Sequence, residues 1–141
     1  MSIKNIYEVL DDFEKAPDKQ SKIDVLRRNV SYALKEVLRG TYNPNIKFLF
    51  EQAPVYKPSD SPAGLGYSSV TQELSRVYLF EENNPKAAPN LTMKRREQLL
   101  VQILESLEKR EAEVFMNMIL KKPLVSGLDQ SLVSEAFPGL I

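Results

Sequence analysis

The chain has 141 residues, of which 43% are hydrophobic and 27% charged, and its 19 basic and 19 acidic side chains give a formal net charge of zero. This size and composition are typical of one globular domain and exclude wholesale disorder. The chain contains neither cysteine nor histidine. Disulfides, thiolate nucleophiles and Ser-His-Asp triads are therefore excluded, and the commonest metal ligand is missing. We expect a protein that is not an enzyme and that uses no metal or cofactor.

The N-terminal segment, residues 1–13, lacks the basic start and the long apolar middle of a secretory signal. No apolar run in the sequence approaches the roughly 20 residues that span a bilayer. We therefore expect a cytoplasmic protein without a membrane partner.

The zero net charge is unusual for a DNA-binding domain, since most of these carry a basic surplus. The oligomeric state is left open.

Apolar residues at three- and four-residue spacing predict three helices in the first part of the chain. The first covers residues 3–15. The second begins at Asp18, a typical N-cap residue, and ends near Asn29. The third covers residues 30–38 and is closed by Gly40 in the C-terminal cap position.

The middle of the chain is rich in turns. Residues 41–50 predict a turn at Asn43-Pro44 that leads into a short apolar helix. Residues 52–67 are rich in proline and glycine and predict a surface loop. Ser69 with Gln72 fits a capping box that opens a helix, and a second turn-rich stretch follows at residues 82–90.

Two further helices are predicted in the last third of the chain. Thr92 can cap the first of them, and the second ends near Lys122, before Pro123. Met116 and Met118 point to different faces of the second helix, which leaves two roles open for Met116: an exposed partner site, or gap-filling in the core, which is the more usual role of methionine. No strand-like alternation of useful length is found, and the fold class is predicted as all-α, one compact domain over residues 1–141 with about seven helices. The helix that Thr92 caps carries an apolar stripe formed by Leu99, Leu100, Ile103, Leu104 and Leu107.

Two stretches of the sequence form a pattern in chain order. LKEVLRGTYNP, residues 34–44, is a leucine-rich helix that runs into a tyrosine turn, and a proline-bearing loop follows. KKPLVSGLDQSLVSEAFPGLI, residues 121–141, combines a helix end, a loop glycine at Gly127, a short helix and a Pro-Gly-apolar exit. This pattern resembles the N-terminal helical DNA-binding domain of phage-type ATP-dependent DNA ligases. The resemblance spans nearly the whole chain and is weakest over residues 59–90.

The sequence also departs from the ligase pattern at identifiable positions. Pro123 stands where the family commonly has an acidic residue, and Val125 stands near a position that is often basic or polar. No Lys-x-Asp-Gly motif occurs, so the lysine amine that takes up the nucleotide in ligases is absent. The resemblance thus implies a stand-alone phage protein that binds duplex or nicked DNA without catalysis, as an accessory in replication or repair.

In the ligases this domain lies beside the nick and contacts phosphates through helix ends, loops and basic side chains, without base readout. The residue types leave another interpretation open, in which Tyr42 packs on the core, Asn43 starts a turn and the lysines are solvated. On the ligase model, the DNA-contacting residues are Thr41, Tyr42, Asn43, Lys47, Lys121, Lys122, Ser126 and Gly127.

Lys94-Arg95-Arg96 is the densest basic cluster in the chain. It falls in the first turn of a predicted helix, where positive charge opposes the helix dipole. A phosphate or an acidic partner could compensate for this placement. The alternative is a solvated helix face on which Lys94 or Arg96 pairs with a neighbour such as Glu97.

A second function is compatible with the same fold, namely a protein–protein interaction or structural module of a phage assembly, with a phage or host protein as its partner. The zero net charge, Met116 and the apolar tail at residues 137–141 favour it. A contiguous face of Lys47, Lys121 and Lys122 without nearby acids would favour DNA instead. Interspersed charges or a large apolar patch would favour a protein partner.

Overall fold

A computed structural model describes residues 4–62 and 66–141, and these residues form an all-helical fold. The prediction of an all-α protein with about seven helices is confirmed for this part of the chain. Helix α4 continues directly into a 3-10 helix, Leu74–Phe80. The seven α-helices are α1 (Ile6–Lys15), α2 (Lys19–Arg28), α3 (Tyr32–Tyr42), α4 (Val70–Glu73), α5 (Met93–Ser106), α6 (Lys109–Leu120) and α7 (Gln130–Ala136).

The N-terminal ends of the helices are fixed by side-chain caps, as predicted at three positions. The carboxylate of Asp18 accepts a hydrogen bond from the backbone N–H of the third residue after it, and so do the hydroxyls of Ser69 and Thr92. Each cap satisfies one of the backbone donors that a helix start leaves free. Helix α1 begins at Ile6, and residue 3, its predicted start, lies outside the described residues. Helix α2 ends at Arg28 with Asn29 as its C-cap, which agrees with the predicted break near Asn29.

The prediction that Gly40 closes the third helix is wrong, because α3 continues to Tyr42. A Cβ atom at position 40 would lie 3.0 Å from the sulfur of Met118. The missing side chain therefore lets α3 and α6 approach closely. Gly40 serves helix packing and not helix termination.

The predicted short helix within residues 41–50 is also wrong. Asn43 does start a turn, since its side-chain oxygen accepts from the backbone N–H of Asn45 at 2.9 Å. The following residues are extended, and the backbone N–H of Leu49 donates to the carbonyl of Phe80 at 2.9 Å. Pairing with a distant segment satisfies the backbone here in place of a helix.

Helix α6 lies at the centre of the fold and packs against α1, α3, α4 and α5. Phe115 is fully buried and Met116 is 4% exposed. Of the two roles that the sequence left open for Met116, the structure therefore shows the core one. Because neighbours cover α6 on most sides, both of its central methionines fill the core, which is the more usual role of this side chain.

The predicted proline- and glycine-rich loop is non-helical where the structure describes it, over residues 52–62 and 66–69, and we call these two stretches the strap. Residues 63–65 of the predicted loop lie outside the described residues. The backbone N–H groups of Ser59 and Ser68 donate to the carbonyls of Leu107 and Ser106, at 3.0 and 2.9 Å. A Cβ at Gly66 would lie 2.7 Å from the backbone nitrogen of Glu108. The strap is thus closely packed on the α5–α6 junction.

Three carboxylates are buried beneath the strap, those of Glu73, Glu108 and Glu111. One oxygen of Glu111 accepts from the backbone N–H of Val70 at 3.3 Å, and the other has no partner among the described residues. Burial raises the pKa of Glu111, and the nearby charge of Glu108 raises it further. The folded protein therefore holds a proton on Glu111 more tightly than the unfolded chain does.

This shift predicts how stability changes with pH. Because the folded-state pKa of Glu111 is raised, its contribution is most favourable below the unfolded value of 4.5 and becomes less favourable as pH rises through the folded-state pKa. We expect Glu111→Gln to become progressively more stable relative to the parent protein between pH 4.5 and pH 8 in urea denaturation. Glu97→Gln, at an exposed site, is the control. A parallel pH dependence for the parent and Glu111→Gln would contradict this prediction.

Within residues 4–62 and 66–141, no helix has the length and apolarity required to cross a membrane.

Candidate functional site

Two residues of the predicted DNA-contacting turn face the interior. Thr41 is 3% exposed, and its hydroxyl donates to the carbonyl of Val37 at 2.7 Å. The phenol of Tyr42 donates to the carbonyl of Leu128 at 3.2 Å and accepts from the backbone N–H of Leu124 at 3.0 Å. Burial raises the pKa of Tyr42. Both hydroxyls are thus engaged in hydrogen bonds within the domain, and their role in DNA contact stays a prediction.

Lys121 is likewise committed to the fold. Its ammonium donates to the carbonyls of Gly40 and Asn43 at 2.7 and 2.8 Å, and it lies 5.8 Å from the centre of the Phe48 ring. These carbonyls belong to the C-terminal end of α3, where backbone acceptors are free and the dipole attracts a cation. Desolvation by burial lowers the pKa of Lys121. Its two acceptors are protein carbonyls, so its main contacts are structural.

The remaining predicted residues are exposed but do not form an acid-free basic face. Lys47, Lys122, Ser126 and Gly127 all reach solvent. The backbone carbonyl of Lys47 accepts from the N–H of Glu82 at 2.8 Å, which places an acidic residue beside this lysine. The structure thus brings Asn43 and Lys121 together, as a helix cap, and leaves Lys122 and Ser126 on an exposed loop.

The three residues of the basic cluster at 94–96 have different environments. Arg96 donates to the carbonyls of Leu79 and Leu91, at 2.9 and 2.6 Å, so it joins the start of α5 to the end of the 3-10 helix. Arg95 donates to the amide oxygen of Gln98 at 3.2 Å. Lys94 is exposed. One interpretation of the sequence paired Arg96 with Glu97. In the structure the hydrogen bonds of Arg96 go to backbone carbonyls instead.

These contacts belong to one recurring arrangement. Long basic side chains reach across to the carbonyls at the end of another helix, where helices leave acceptors without partners. An ammonium or guanidinium at such an end also interacts favourably with the helix dipole. Part of the positive charge counted in the sequence therefore stabilises helix ends. The side chains involved are Lys22 on α1, Arg27 on α7, Arg96 on the 3-10 helix and Lys121 on α3.

A basic concavity lies elsewhere, in an open groove of about 860 Å³ between α1 and α2, which we call the α1–α2 groove. Its floor includes apolar atoms of Ala16, Pro17 and Val25. Its charged lining consists of Lys4, Lys15, Arg27 and Arg28 with Asp12 and Asp24.

Three of the four cations in the groove have no carboxylate partner among the described residues, and one of these three, Arg27, is held by backbone carbonyls instead. Lys4 pairs with Asp12 at 2.6 Å, and Arg27 donates to the carbonyls at the end of α7. Lys15 and Arg28 take part in none of the ion pairs found among residues 4–62 and 66–141. Both are exposed. The groove therefore presents excess positive charge from two different helices and can accept an anionic chain.

Sequence reasoning missed this groove because its cations come from separate helices. Lys4 and Arg28 are brought to one surface only when α1 and α2 pack against each other. The sequence does contain one indication of the groove, because residues 15–28 carry five basic and only two acidic side chains. Over the longer stretch of residues 1–58, ten basic and eight acidic side chains nearly cancel, so this local excess does not stand out.

The apolar features that favoured a protein partner are largely covered. Met116 is buried in the core. Phe137, Leu140 and Ile141 are partly buried and pack against the core cluster, and the ammonium of Lys35 lies 5.9 Å from the Phe137 ring centre. The apolar tail thus docks on the domain itself.

In the part of the chain that the structure describes, no group of three or more acidic side chains is arranged to hold a metal ion.

One family model matches the chain over residues 9–124, and its description is a family of unknown function (DUF6433). The match runs from within α1 to the loop that follows α6. No curated protein matches the chain.

Proposed function

The chain belongs to the DUF6433 family, whose function is unknown, and we propose that it is a non-catalytic protein that binds the phosphate backbone of duplex or nicked DNA in the α1–α2 groove. The observation that carries the proposal is the pair Lys15 and Arg28, which line this groove from two helices and have no carboxylate partner in the described structure. The predicted role in phage replication or repair is part of the same proposal.

Backbone binding suits this lining for physical reasons. Neutralising phosphates with lysine and arginine releases counterions, and this supplies most of the affinity of non-specific DNA binding. The guanidinium of Arg28 offers several donors for phosphate oxygens, while Lys15 acts as a point charge. Such contacts fix position and register without reading sequence. Lys122 and Ser126, on the exposed loop after α6, are available for further phosphate contacts.

A protein partner is the second candidate, and one observation favours it. Val55 and Tyr67 are 98% and 87% exposed on the strap, although the strap backbone is held by hydrogen bonds to the α5–α6 junction. Tyrosine is enriched in protein–protein interfaces, so the exposed ring of Tyr67 is the feature that a partner would cover. A phage or host protein would be the partner.

The test is binding of the protein to a fluorescent nicked duplex and to its intact counterpart at low salt and across a salt series. We expect binding that weakens steeply with salt, because each phosphate contact adds about 0.9 to the slope of log K against log salt. The double variant Lys15→Glu with Arg28→Glu should bind at least about tenfold more weakly, since it replaces two attractive contacts by repulsive ones.

The matched control is Lys47→Glu with Lys122→Glu, which changes the net charge by the same amount on the surface that the sequence predicted. Circular dichroism would verify that both variants fold. Selective loss in the Lys15/Arg28 variant supports the groove. Selective loss in the Lys47/Lys122 variant overturns the groove as the DNA site, and absence of binding at low salt overturns the DNA function and leaves the protein partner.

A further inference from the structure

A second concavity, of about 300 Å³, lies beside α3. Its walls are α3, the extended residues 46–48, the 3-10 helix and the turn at residues 81–86. We call it the tyrosine cleft, because the rings of Tyr32 and Tyr78 both line it. Its size is at the lower end of the range for small-molecule sites. Its polar lining consists of Tyr32, Glu36, Arg39, Ser75, Tyr78, Glu81, Asn84 and Lys86.

The charges of this cleft balance, unlike those of the α1–α2 groove. Arg39 donates to one oxygen of Glu36 at 2.8 Å, and the side-chain amide of Asn84 donates to one oxygen of Glu81 at 2.7 Å. Each carboxylate therefore keeps a second oxygen as an acceptor, and the guanidinium keeps further N–H donors beyond its bond to Glu36. Lys86 adds a second cation. The cleft suits a ligand that carries both hydrogen-bond donors and acceptors.

The aromatic side chains in the lining favour a ligand that has a flat face. Tyr32 is 66% exposed at the cleft, although a large amphipathic ring gains by being covered. Tyrosine side chains of this kind stack on unpaired nucleobases in nucleic-acid-binding proteins. A planar heterocycle with hydrogen-bonding edges thus fits both the rings and the polar lining.

Among the nucleobases, guanine matches the polar groups most fully. Its O6 and N7 atoms are acceptors suited to the fork of an arginine, and its N2 amino group is a donor suited to a carboxylate. Adenine has an amino group in place of O6, which would face the donors of Arg39. We propose that the tyrosine cleft binds an unpaired guanine nucleotide, with Arg39 and Glu81 reading the base, Tyr32 covering its face and Lys86 near its phosphate. This goes beyond the backbone contacts of the α1–α2 groove and does not depend on them.

The first arm of the test titrates dGMP, dAMP, dCMP and dTMP into the protein and follows binding by ligand-observed NMR. We expect dGMP to bind at least tenfold more tightly than dAMP. Arg39→Gln should remove this preference, and Tyr32→Ala should weaken binding more than Tyr32→Phe. The control is Arg76→Gln, because Arg76 has a similar ion pair to Glu73 three residues earlier and nearly the same side-chain exposure, 38% against 39% for Arg39.

The second arm distinguishes a free nucleotide from a nucleotide in a strand, by comparing duplexes that end in a single unpaired guanine or adenine. Preference for free dGMP, for the guanine overhang or for both supports the proposal and identifies the source. Equal affinity for all four mononucleotides together with equal affinity for the two overhangs overturns it. The Lys15→Glu with Arg28→Glu variant separates the two sites, since it should weaken blunt-duplex binding and leave dGMP binding unchanged.

Discussion

Replacing Lys121 by methionine is expected to destabilise the fold by about 1.5–3 kcal/mol, the range for hydrogen bonds to charged groups. Methionine keeps most of the apolar length of the side chain but removes the ammonium that binds the carbonyls of Gly40 and Asn43. The two carbonyls at the end of α3 then lose their donor, and the helix dipole loses a favourable charge. Urea denaturation of the two proteins at neutral pH measures the difference.

The neighbouring residue provides the matched control for this prediction. Lys122 is exposed, and surface substitutions of this kind usually change stability by less than about 0.5 kcal/mol. Lys122→Met should therefore unfold at nearly the same urea concentration as the parent. Equal small effects at both positions would show that the cap of α3 contributes little. Reversing the charge of Lys121 would disturb the fold as well as any DNA contact, so only Lys122 is suited to a test of DNA binding on this loop.

Tyr42→Phe is expected to cost about 1–3 kcal/mol, the penalty for leaving a buried hydrogen-bonding group without its partner. The single hydroxyl of Tyr42 links two points of the loop after α6, through the N–H of Leu124 and the carbonyl of Leu128. Its loss leaves both backbone groups unpaired and frees the loop from α3. Thermal unfolding should shift down by several degrees, since about 1 kcal/mol corresponds to roughly 2–4 °C for a domain near this size.

Tyr32→Phe makes the same chemical change at a tyrosine that is 66% exposed, so it is the control for Tyr42→Phe. Its unfolding temperature should stay within about 1 °C of the parent, since surface changes have small effects. Hydrogen exchange at the Leu124 amide gives a local measurement, and it should accelerate only in Tyr42→Phe. Unchanged stability in Tyr42→Phe, with weaker DNA binding, would instead restore the role that the ligase resemblance assigned to this hydroxyl.

The features that the sequence predicted well are local ones. The caps at Asp18, Ser69 and Thr92 depend on a side chain and a backbone N–H three residues apart, so the sequence around each cap contains the whole interaction. The apolar stripe of α5 and the overall helical class depend on short-range periodicity in the same way. These predictions needed no knowledge of what each helix packs against.

The wrong predictions involve contacts between distant parts of the chain. Gly40 ended a helix by local preference, but its actual neighbour is Met118 on α6. Residues 46–50 were assigned to a helix because they are apolar, but Leu49 pairs with Phe80. The sequence does not reveal that four helices surround α6, so it left a surface position open for Met116. In each case tertiary packing outweighed local preference.

The surroundings of the candidate site residues could be predicted only in part, for a related reason. A lysine that caps a helix nearly 80 residues earlier has the same sequence signature as a solvated lysine, so Lys121 could not be told apart from Lys122. The α1–α2 groove needed the packing of two helices to bring Lys15 and Arg28 to one surface. The resemblance to ligases pointed instead to the turn after α3 and the loop after α6.

The strap has a consequence for where the chain can be cut or extended. Loops rich in proline and glycine are usually chosen as sites for tags and insertions, because most of them are loosely held at the surface. Here Ser59 and Ser68 hydrogen-bond across the α5–α6 junction, and Gly66 leaves no room for even a methyl group against Glu108. An epitope or protease site added near these positions would lift the strap and expose the junction. The turn at residues 83–90, held by hydrogen bonds between near neighbours, is the better place to open the chain.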